Sequence, residues 1–488
     1  MSAQASILLA LIIPIIGGIG IAMTRRSPNL RECCTLITSL ALAYTVFCLL
    51  PHIKNGSEAT INLIEILPGL SLYFNVEPLG MLFACIASGL WIVNSLYSIG
   101  YMRGNKEENQ TRFYVYFTIA ISSSMGIAFA GNMFTLFIFY EILTLSTYPL
   151  VAHKETGEAK SGARVYLGLL IGTSLGFQLI AIMWTWFAAG TLDFTSGGIL
   201  AGKVDPGLLP FLLALYMFGI GKAALMPFHR WLPSAIVAPT PVSALLHAVA
   251  VVKAGVFTVL KVIIYIFGID LLADTGASTW LIWVASFSLL AASLVAITKD
   301  NLKARLAYST ISQLSYITLG AALASTLGIL GGGLHIATHA LGKITLFMCA
   351  GAIYVATHKT EISQMRGLGR QMPFTFIAFA IGSLSIIGLP PFAGTWSKWY
   401  LALAAADTEM WIIIGVYMIS SLLNVGYLLS IVATGFFRSA NEPSRQQTLP
   451  IAEAPFFCVL PLCLTAIGCI ILFFLAEEVV RLLRPIVS

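Results

Sequence analysis

The run Gly219-Ile220-Gly221-Lys222-Ala223-Ala224-Leu225-Met226-Pro227-Phe228-His229-Arg230-Trp231-Leu232-Pro233 sets a lysine among glycines, apolar residues and a proline. Glycine and proline weaken a helix and free backbone carbonyls from their intrahelical donors. Interrupted apolar helices near the bilayer midplane are where transporters hold coupling ions. The segment therefore reads as a broken membrane-spanning helix with Lys222 at its break. Pro390, Pro391, Gly394 and Lys398 repeat the idea further along the chain, again a break beside a lysine. Two such elements in corresponding positions point to an internal repeat.

The surrounding chain agrees with a membrane reading. Of 488 residues, 58% are hydrophobic and 10% charged, against roughly 25% charged in soluble domains. The mean hydropathy is +0.89. A soluble enzyme and a disordered chain are excluded, and the net charge of +6 is not gathered into the basic patch of a nucleic-acid binder. Apolar runs long enough to span occur near 5–23, 32–51, 77–100, 112–130, 132–151, 164–189, 208–226, 241–268, 278–297, 305–325, 327–357, 372–392, 410–435 and 453–475. The expectation is an all-α polytopic membrane protein of about 14 transmembrane helices. Its segments are 1–111 (helices 1–3), 112–268 and 269–435 (five helices each), and 436–488 (helix 14 and a short tail). The first run lacks the basic start of a signal peptide and reads as a retained span.

Basic residues test this count, because cytoplasmic loops are enriched in them. Eighteen of the 27 fall in loops after odd-numbered spans, from Arg25, Arg26 and Arg31 to Arg438 and Arg445. Loops after even-numbered spans hold Lys54 and Lys203, and the tail holds Arg481 and Arg484. One missed helix would scramble that alternation. Both termini are expected on the non-cytoplasmic side of a plasma or inner membrane.

The remaining five, Lys222, Lys253, Lys261, Lys343 and Lys398, lie inside or at the broken edges of spans, and Glu141 sits mid-span. Each costs ~2.5–3.5 kcal/mol at the bilayer centre, on the order of 15–20 kcal/mol together. Burial drives such groups toward their neutral forms, which suits them to exchange protons. Lys261 also fits a snorkelling or statically paired lysine. Glu32, Glu77 and Glu453 begin spans and call for nothing beyond the interface. Asp300, with Lys299, Lys303 and Arg305, reads as a solvated loop cluster, and 100–112 as a polar loop.

His335, His339 and Lys343 recur at four-residue spacing and form one polar stripe on a helix. Proton relay, static hydrogen bonding and half of a zinc site are the alternatives, the last lacking a third ligand nearby. His247 shares a span with Lys253. Cys33, Cys34, Cys48, Cys85, Cys349, Cys458, Cys463 and Cys469 form no paired CxxC set, so no metal and no cofactor is expected. No phosphate-binding loop points to nucleotide-driven pumping.

Gly221–Pro233, continuing as Ala238-Pro239-Thr240-Pro241-Val242-Ser243-Ala244-Leu245-Leu246-His247, resembles the antiporter-like subunits shared by Mrp-type multisubunit cation/proton antiporters, respiratory complex I and membrane-bound hydrogenases. Leu306–Gln313 and His335–Ala340 extend the likeness over the whole chain. The resemblance implies two inverted five-helix repeats with broken seventh and twelfth helices around a central polar axis for protons. By position it implies Glu141 as the fifth-helix glutamate and Lys222 as its seventh-helix partner. Lys253 and His247 then form the eighth-helix link, His335 and His339 the eleventh-helix relay, and Lys398 the twelfth-helix terminal site. The length and Val252-Lys253-Ala254-Gly255-Val256 most resemble the D-subunit branch of the Mrp-type antiporters, and lysine at 398 departs from complex I members with glutamate there.

The expected function is proton translocation within a multisubunit Mrp-type Na+/H+ antiporter, along Glu141, Lys222, Lys253, His247, His335, His339, Lys343 and Lys398. The alternative is the proton-pumping membrane subunit of a complex I-like NADH-quinone oxidoreductase or membrane-bound hydrogenase, drawing on redox chemistry elsewhere. Expected partners are small hydrophobic membrane subunits, the lipid bilayer, H+ and Na+, and no nucleic acid.

Overall fold

The computed structural model describes residues 2–57, 59–437 and 451–487. Inside lipid a backbone must satisfy its own hydrogen bonds, so each long apolar run becomes a helix. In chain order these are α1 (Ala3–Met23), α2 (Pro28–Lys54), α3 (Pro78–Gly104), α4 (Gln110–Ala128), α5 (Met133–Val151), α6 (Gly157–Ala189), the broken α7 (Leu209–Gly219, then Trp231–Ala235), α8 (Val242–Phe267), α9 (Thr279–Thr298), α10 (Leu302–Ala322), α11 (Thr326–Thr357), the broken α12 (Pro373–Ile387, then Gly394–Asp407), α13 (Trp411–Phe437) and α14 (Phe456–Leu483). Ten of these are long and apolar enough to cross a membrane, while α4 and α10 match them in length but carry more polar residues. The fourteen expected spans are thus the fourteen helices, though α6 begins earlier, at Gly157, and α12 and α14 run on to Asp407 and Leu483.

Both breaks have local causes. The first half of α7 stops at Gly219, and the chain turns through a single 3₁₀ turn, Gly221–Ala223, with Ala224 at φ 54°. The first half of α12 stops before Gly388, at φ 91°, where glycine accepts the left-handed backbone that other residues resist. Met226–Pro227 and Pro390–Pro391 are cis. α4–α8 and α9–α13 are therefore two five-helix repeats, each broken in its fourth helix. Five is an odd number of crossings, so the second repeat enters the membrane from the opposite side and is inverted.

One element departs from the all-α expectation. Residues between α2 and α3 form a hairpin, β1 (Thr60–Leu67) and β2 (Leu70–Asn75), paired antiparallel from Thr60↔Asn75 to Leu67↔Leu70. Its cue is a run rich in isoleucine, leucine and aromatics around Pro68-Gly69, with Gly69 at φ 79°. Asn132 Nδ2 donates to the Ser71 carbonyl at 2.9 Å and Tyr73 N to Thr135 Oγ1 at 3.0 Å, docking the hairpin on the start of α5.

α8 is the centre of the bundle, with all of Val242–Phe267 buried, including its charged or polar members His247, Lys253 and Lys261. Gly255 brings it against the α7 break, where a Cβ would strike the Lys222 and Ala223 backbone. α11 crosses between α10, α14 and both halves of α12.

Several loop charges are more engaged than expected. Arg305, 9% exposed, is no solvated residue: it donates to the carbonyls of Lys299 (2.8 Å) and Tyr427 (3.1 Å) and to Ser430 Oγ (3.2 Å), tying α10 to α13. Asp300 accepts from Ser363 N at 3.0 Å and Ser363 Oγ at 2.6 Å, and Lys303 donates to the Ala238 carbonyl at 2.7 Å. A buried cation cannot be left to solvent, so the fold supplies carbonyls at its helix ends. Glu32 pairs with Arg103, and Glu453 accepts from Phe374 N (2.8 Å) and Thr375 Oγ1 (2.6 Å), capping the first turn of α12. Arg438 and Arg445 lie outside the described residues.

Candidate functional site

The α7 break presents Lys222 to α5. Its side chain is fully buried, and Nζ donates to the Tyr140 carbonyl at 2.8 Å and to Thr144 Oγ1 at 2.5 Å. The ammonium sits 3.1 Å from the centre of the Tyr140 ring, while the Tyr140 hydroxyl accepts from Lys222 N at 3.1 Å. Trp231 Nε1 donates to the Gly221 carbonyl at 2.8 Å and holds the turn in place. Carbonyls freed by the break are thus answered by side chains from elsewhere.

The expected Lys222–Glu141 pair is not closed. Both Glu141 oxygens are shielded from solvent and accept no hydrogen bond. The two groups interact electrostatically without touching, with Ser174 also near the carboxylate. Successive residues on a helix are about 100° apart. Because Tyr140 faces the break, Glu141 is carried off that line.

The middle of the molecule brings α8 and α11 together. Lys253, fully buried, meets His339 Nδ1 through its ammonium. The His339 and His335 rings stack at 5.7 Å and 4°. His335 Nδ1 is 2.9 Å from Ser397 Oγ, which also lies 3.1 Å from Thr338 Oγ1, so the line reaches the second half of α12. The His335 ring stacks in turn on Tyr316, at 5.5 Å. Lys398 lies over the other partner in this cluster, 4.6 Å from the Tyr316 ring centre, and donates to the Ile387 carbonyl and Ser421 Oγ, each at 3.0 Å. It also lines a largely apolar cleft of about 620 Å³ between α12 and α13.

Two expected members stand apart. His247 is buried beside Tyr166 and Trp231, with both ring nitrogens unpartnered and no bond to Lys253. Lys343 turns away from His339 and donates to Ser309 Oγ at 2.6 Å, which is 2.8 Å from the Tyr427 hydroxyl. Among the described residues no three His, Cys, Asp or Glu side chains gather to hold a metal ion.

Lys261 takes the static reading. It pairs with Glu77 at 2.9 Å, both side chains nearly buried, and Tyr265 donates to the same carboxylate. Glu77 is therefore no mere interfacial acid, and only its distance of many residues from Lys261 hid the pair. Tyr140, Thr144, Ser309, Tyr316, Ser397 and Tyr427 were also missed, because hydroxyls in apolar helices are common and carry no charge to single them out. Gln313, buried on α10 with both amide atoms unpartnered, lies within a motif the sequence did mark.

The family model described as NADH:quinone oxidoreductase/Mrp antiporter, TM matches residues 130–424. NADH-quinone oxidoreductase subunit N of Desulforudis audaxviator is 28% identical over 83% of this chain and 82% of its own. The chain spans about half, 49%, of NAD(P)H-quinone oxidoreductase chain 5 of Synechocystis, at 34% identity. In fold it is similar to a chain of an archaeal membrane-bound sulfane sulfur reductase, with a TM-score of 0.88, 24% identity, and 99% of this chain and 98% of that one covered. It is also similar to a chain of the Mrp complex of Dietzia sp. DQ12-45-1b, with a TM-score of 0.87, 20% identity, and 100% and 97% covered. With more than half of its length matched by the family model and its broken helices and buried lysines in place, the chain belongs to the NADH:quinone oxidoreductase/Mrp antiporter family, as an antiporter-like membrane subunit.

Proposed function

We propose that this chain translocates protons as a subunit of a multisubunit Mrp-type Na+/H+ antiporter. The observation that supports it is the line Lys253, His339, His335, Ser397, which joins α8, α11 and α12 through the apolar interior. Ionisable groups placed there at such cost are functional by default. The groups that accept hydrogen bonds from the Lys222 ammonium are neutral, and among the described residues Glu141 supplies the balancing negative charge. Approach of Glu141 holds the proton on Lys222, and separation releases it toward Lys253, the histidines and Lys398. His247, which shares α8 with Lys253, and Lys343, one turn beyond His339 on α11, lie outside that hydrogen-bonded line and complete the proposed path as side branches. The repeats 112–268 and 269–435 form its two halves, and the alternation of basic loops supports termini on the non-cytoplasmic side of a plasma membrane.

Everted vesicles carrying Glu141→Ala or Lys222→Ala test this. Loss of sodium-dependent collapse of the pH gradient is the expected result, and full antiport in either variant overturns the mechanism. A second reading, the pumping subunit of a redox-driven complex, draws support from relatives named as quinone oxidoreductase subunits and as Hydrogenase-4 component B of Escherichia coli. Flavin or iron–sulfur absorbance in the copurified complex favours that reading. Its absence, with small hydrophobic partners present, favours the antiporter.

A further inference from the structure

Where α1 ends and α2 begins, Arg25, Arg26, Arg31 and Arg112 line one groove of about 630 Å³ together with Asn109, Gln110 and Thr111. Arg25 and Arg26 are exposed in the turn after α1, Arg31 is 5% exposed in the first turn of α2, and Arg112 lies in the first turn of α4. The acid in the groove, Glu107, faces Lys154 at 3.8 Å, and Glu32 beside Arg31 is engaged by Arg103. Arg112 itself pairs with Glu155 and donates to the His153 carbonyl at 2.9 Å. The cluster therefore keeps a surplus of positive charge.

Arg31 lies 3.8 Å from Glu32, a carboxylate it shares with Arg103, and its hydrogen bonds go to neutral groups. It donates to Gln110 Oε1 at 2.6 Å and Thr111 Oγ1 at 3.2 Å, and lies over the Tyr114 ring at 5.4 Å. Its Nε is sealed from solvent with no acceptor, and so is the Nε of Arg112. A buried guanidinium donor without a partner is costly. The exposed guanidinium groups of Arg25 and Arg26, backed in the same groove by Arg31 and Arg112, match an anion that offers several oxygens at once. Phosphate does so, and the planar guanidinium binds it in bidentate fashion.

The surroundings select the source of that phosphate. Met23, 81% exposed, and Leu30, 59% exposed, flank the turn. Ile15, Ile16, Ile19, Ile37 and Leu40 continue an exposed apolar face down α1 and α2. Both helices are long and apolar enough to span, so acyl chains have a surface to follow directly beneath the groove. Basic pockets between helix ends at a membrane surface recognise anionic headgroups in this way. We propose that this groove binds the phosphodiester headgroup of an anionic phospholipid, its acyl chains running along α1 and α2.

The test uses the full chain in phosphatidylcholine vesicles doped with spin-labelled phosphatidylglycerol or spin-labelled phosphatidylcholine, reading the motionally restricted fraction. The wild type is expected to prefer phosphatidylglycerol. Arg31→Gln with Arg112→Gln should erase that preference, at about fivefold for each arginine removed. Arg25→Gln with Arg26→Gln, at exposed positions that do not pack, should weaken it and separates lost binding from a failed fold. Equal restriction of both lipids, or a preference unchanged in both variants, overturns the proposal. So does displacement of the labelled lipid by inorganic phosphate, which assigns the groove to a free anion. A preference that vanishes once neighbouring subunits are bound assigns it to a protein interface, and overturns it as well.

Discussion

Lys222 donates to the backbone carbonyl of Tyr140 at 2.8 Å, one residue short of the Glu141 carboxylate that its charge requires. A carbonyl and the Thr144 hydroxyl solvate the ammonium without neutralising it. In the proposed mechanism, electrostatic balance is left to a carboxylate that approaches or withdraws. A closed ion pair would hold the proton firmly, whereas a lysine with neutral hydrogen-bond acceptors and an unpaired carboxylate suits the proton exchange proposed above.

Thr144 carries part of that solvation. Thr144→Val keeps the shape and removes the 2.5 Å acceptor, so the variant should be destabilised by about 1.5–3 kcal/mol, the range for hydrogen bonds to charged groups. Thr144→Ser should recover most of the loss. Thermal unfolding of the purified protein reads the difference, and equal stability of the Val and Ser forms contradicts the role.

Lys253 and His339 act as one unit if protons pass between them. Lys253→Met and His339→Gln should each reduce proton movement in everted vesicles by tenfold or more, and the double variant should be no worse than either alone. Independent, additive losses would mean that the two groups do not share a step.

The Lys261–Glu77 pair should matter for stability and not for transport rate. Glu77→Ala leaves a buried ammonium without its partner, which costs about 3–5 kcal/mol. Lys261→Met with Glu77→Gln removes both charges and should restore most of the melting temperature. A single variant that folds well yet fails to transport would instead put this pair on the ion path.

His153 lies past the end of α5, 4% exposed beside Phe113. Burial first, and then Arg112, push its pKa down to about 4 from an ordinary 6.5. The unfolded state then binds the extra proton between pH 6.5 and 4, so stability is lost as pH falls through that window, by about 3 kcal/mol in all. Glu155, held below its ordinary value by Arg112, loses its contribution only at lower pH. His153→Gln should flatten the melting temperature between pH 6.5 and 4, and a slope equal to the wild type's refutes the assignment.

Much of the architecture was legible because lipid leaves the backbone few options. Long apolar runs become helices, so fourteen runs gave fourteen helices, and Gly219, Gly221, Pro390, Pro391 and Gly394 marked the breaks, while Gly388 was found only in the structure. The hairpin at Thr60–Asn75 escaped notice because it lies outside those runs, although its Pro68-Gly69 turn was visible. In the site, charge in an apolar setting singled out Glu141, Lys222, Lys253, Lys261, Lys343 and Lys398. The polar stripe on α11 followed from its four-residue period, and the stacking of His335 on His339 agrees with it.

What the sequence determined, then, is which groups sit in the membrane and which helix carries each, since composition and helical period are local properties. Which group meets which was decided by tertiary structure alone. Rotation of α5 gives Tyr140 and Thr144, not Glu141, to Lys222. The packing of α8 on α11 joins Lys253 to His339, while α10 draws Lys343 away to Ser309. Glu77 and Lys261, separated by more than the length of one repeat in the chain, meet only because α3 and α8 cross. Contacts between helices depend on azimuth and depth, and neither is written in any single segment.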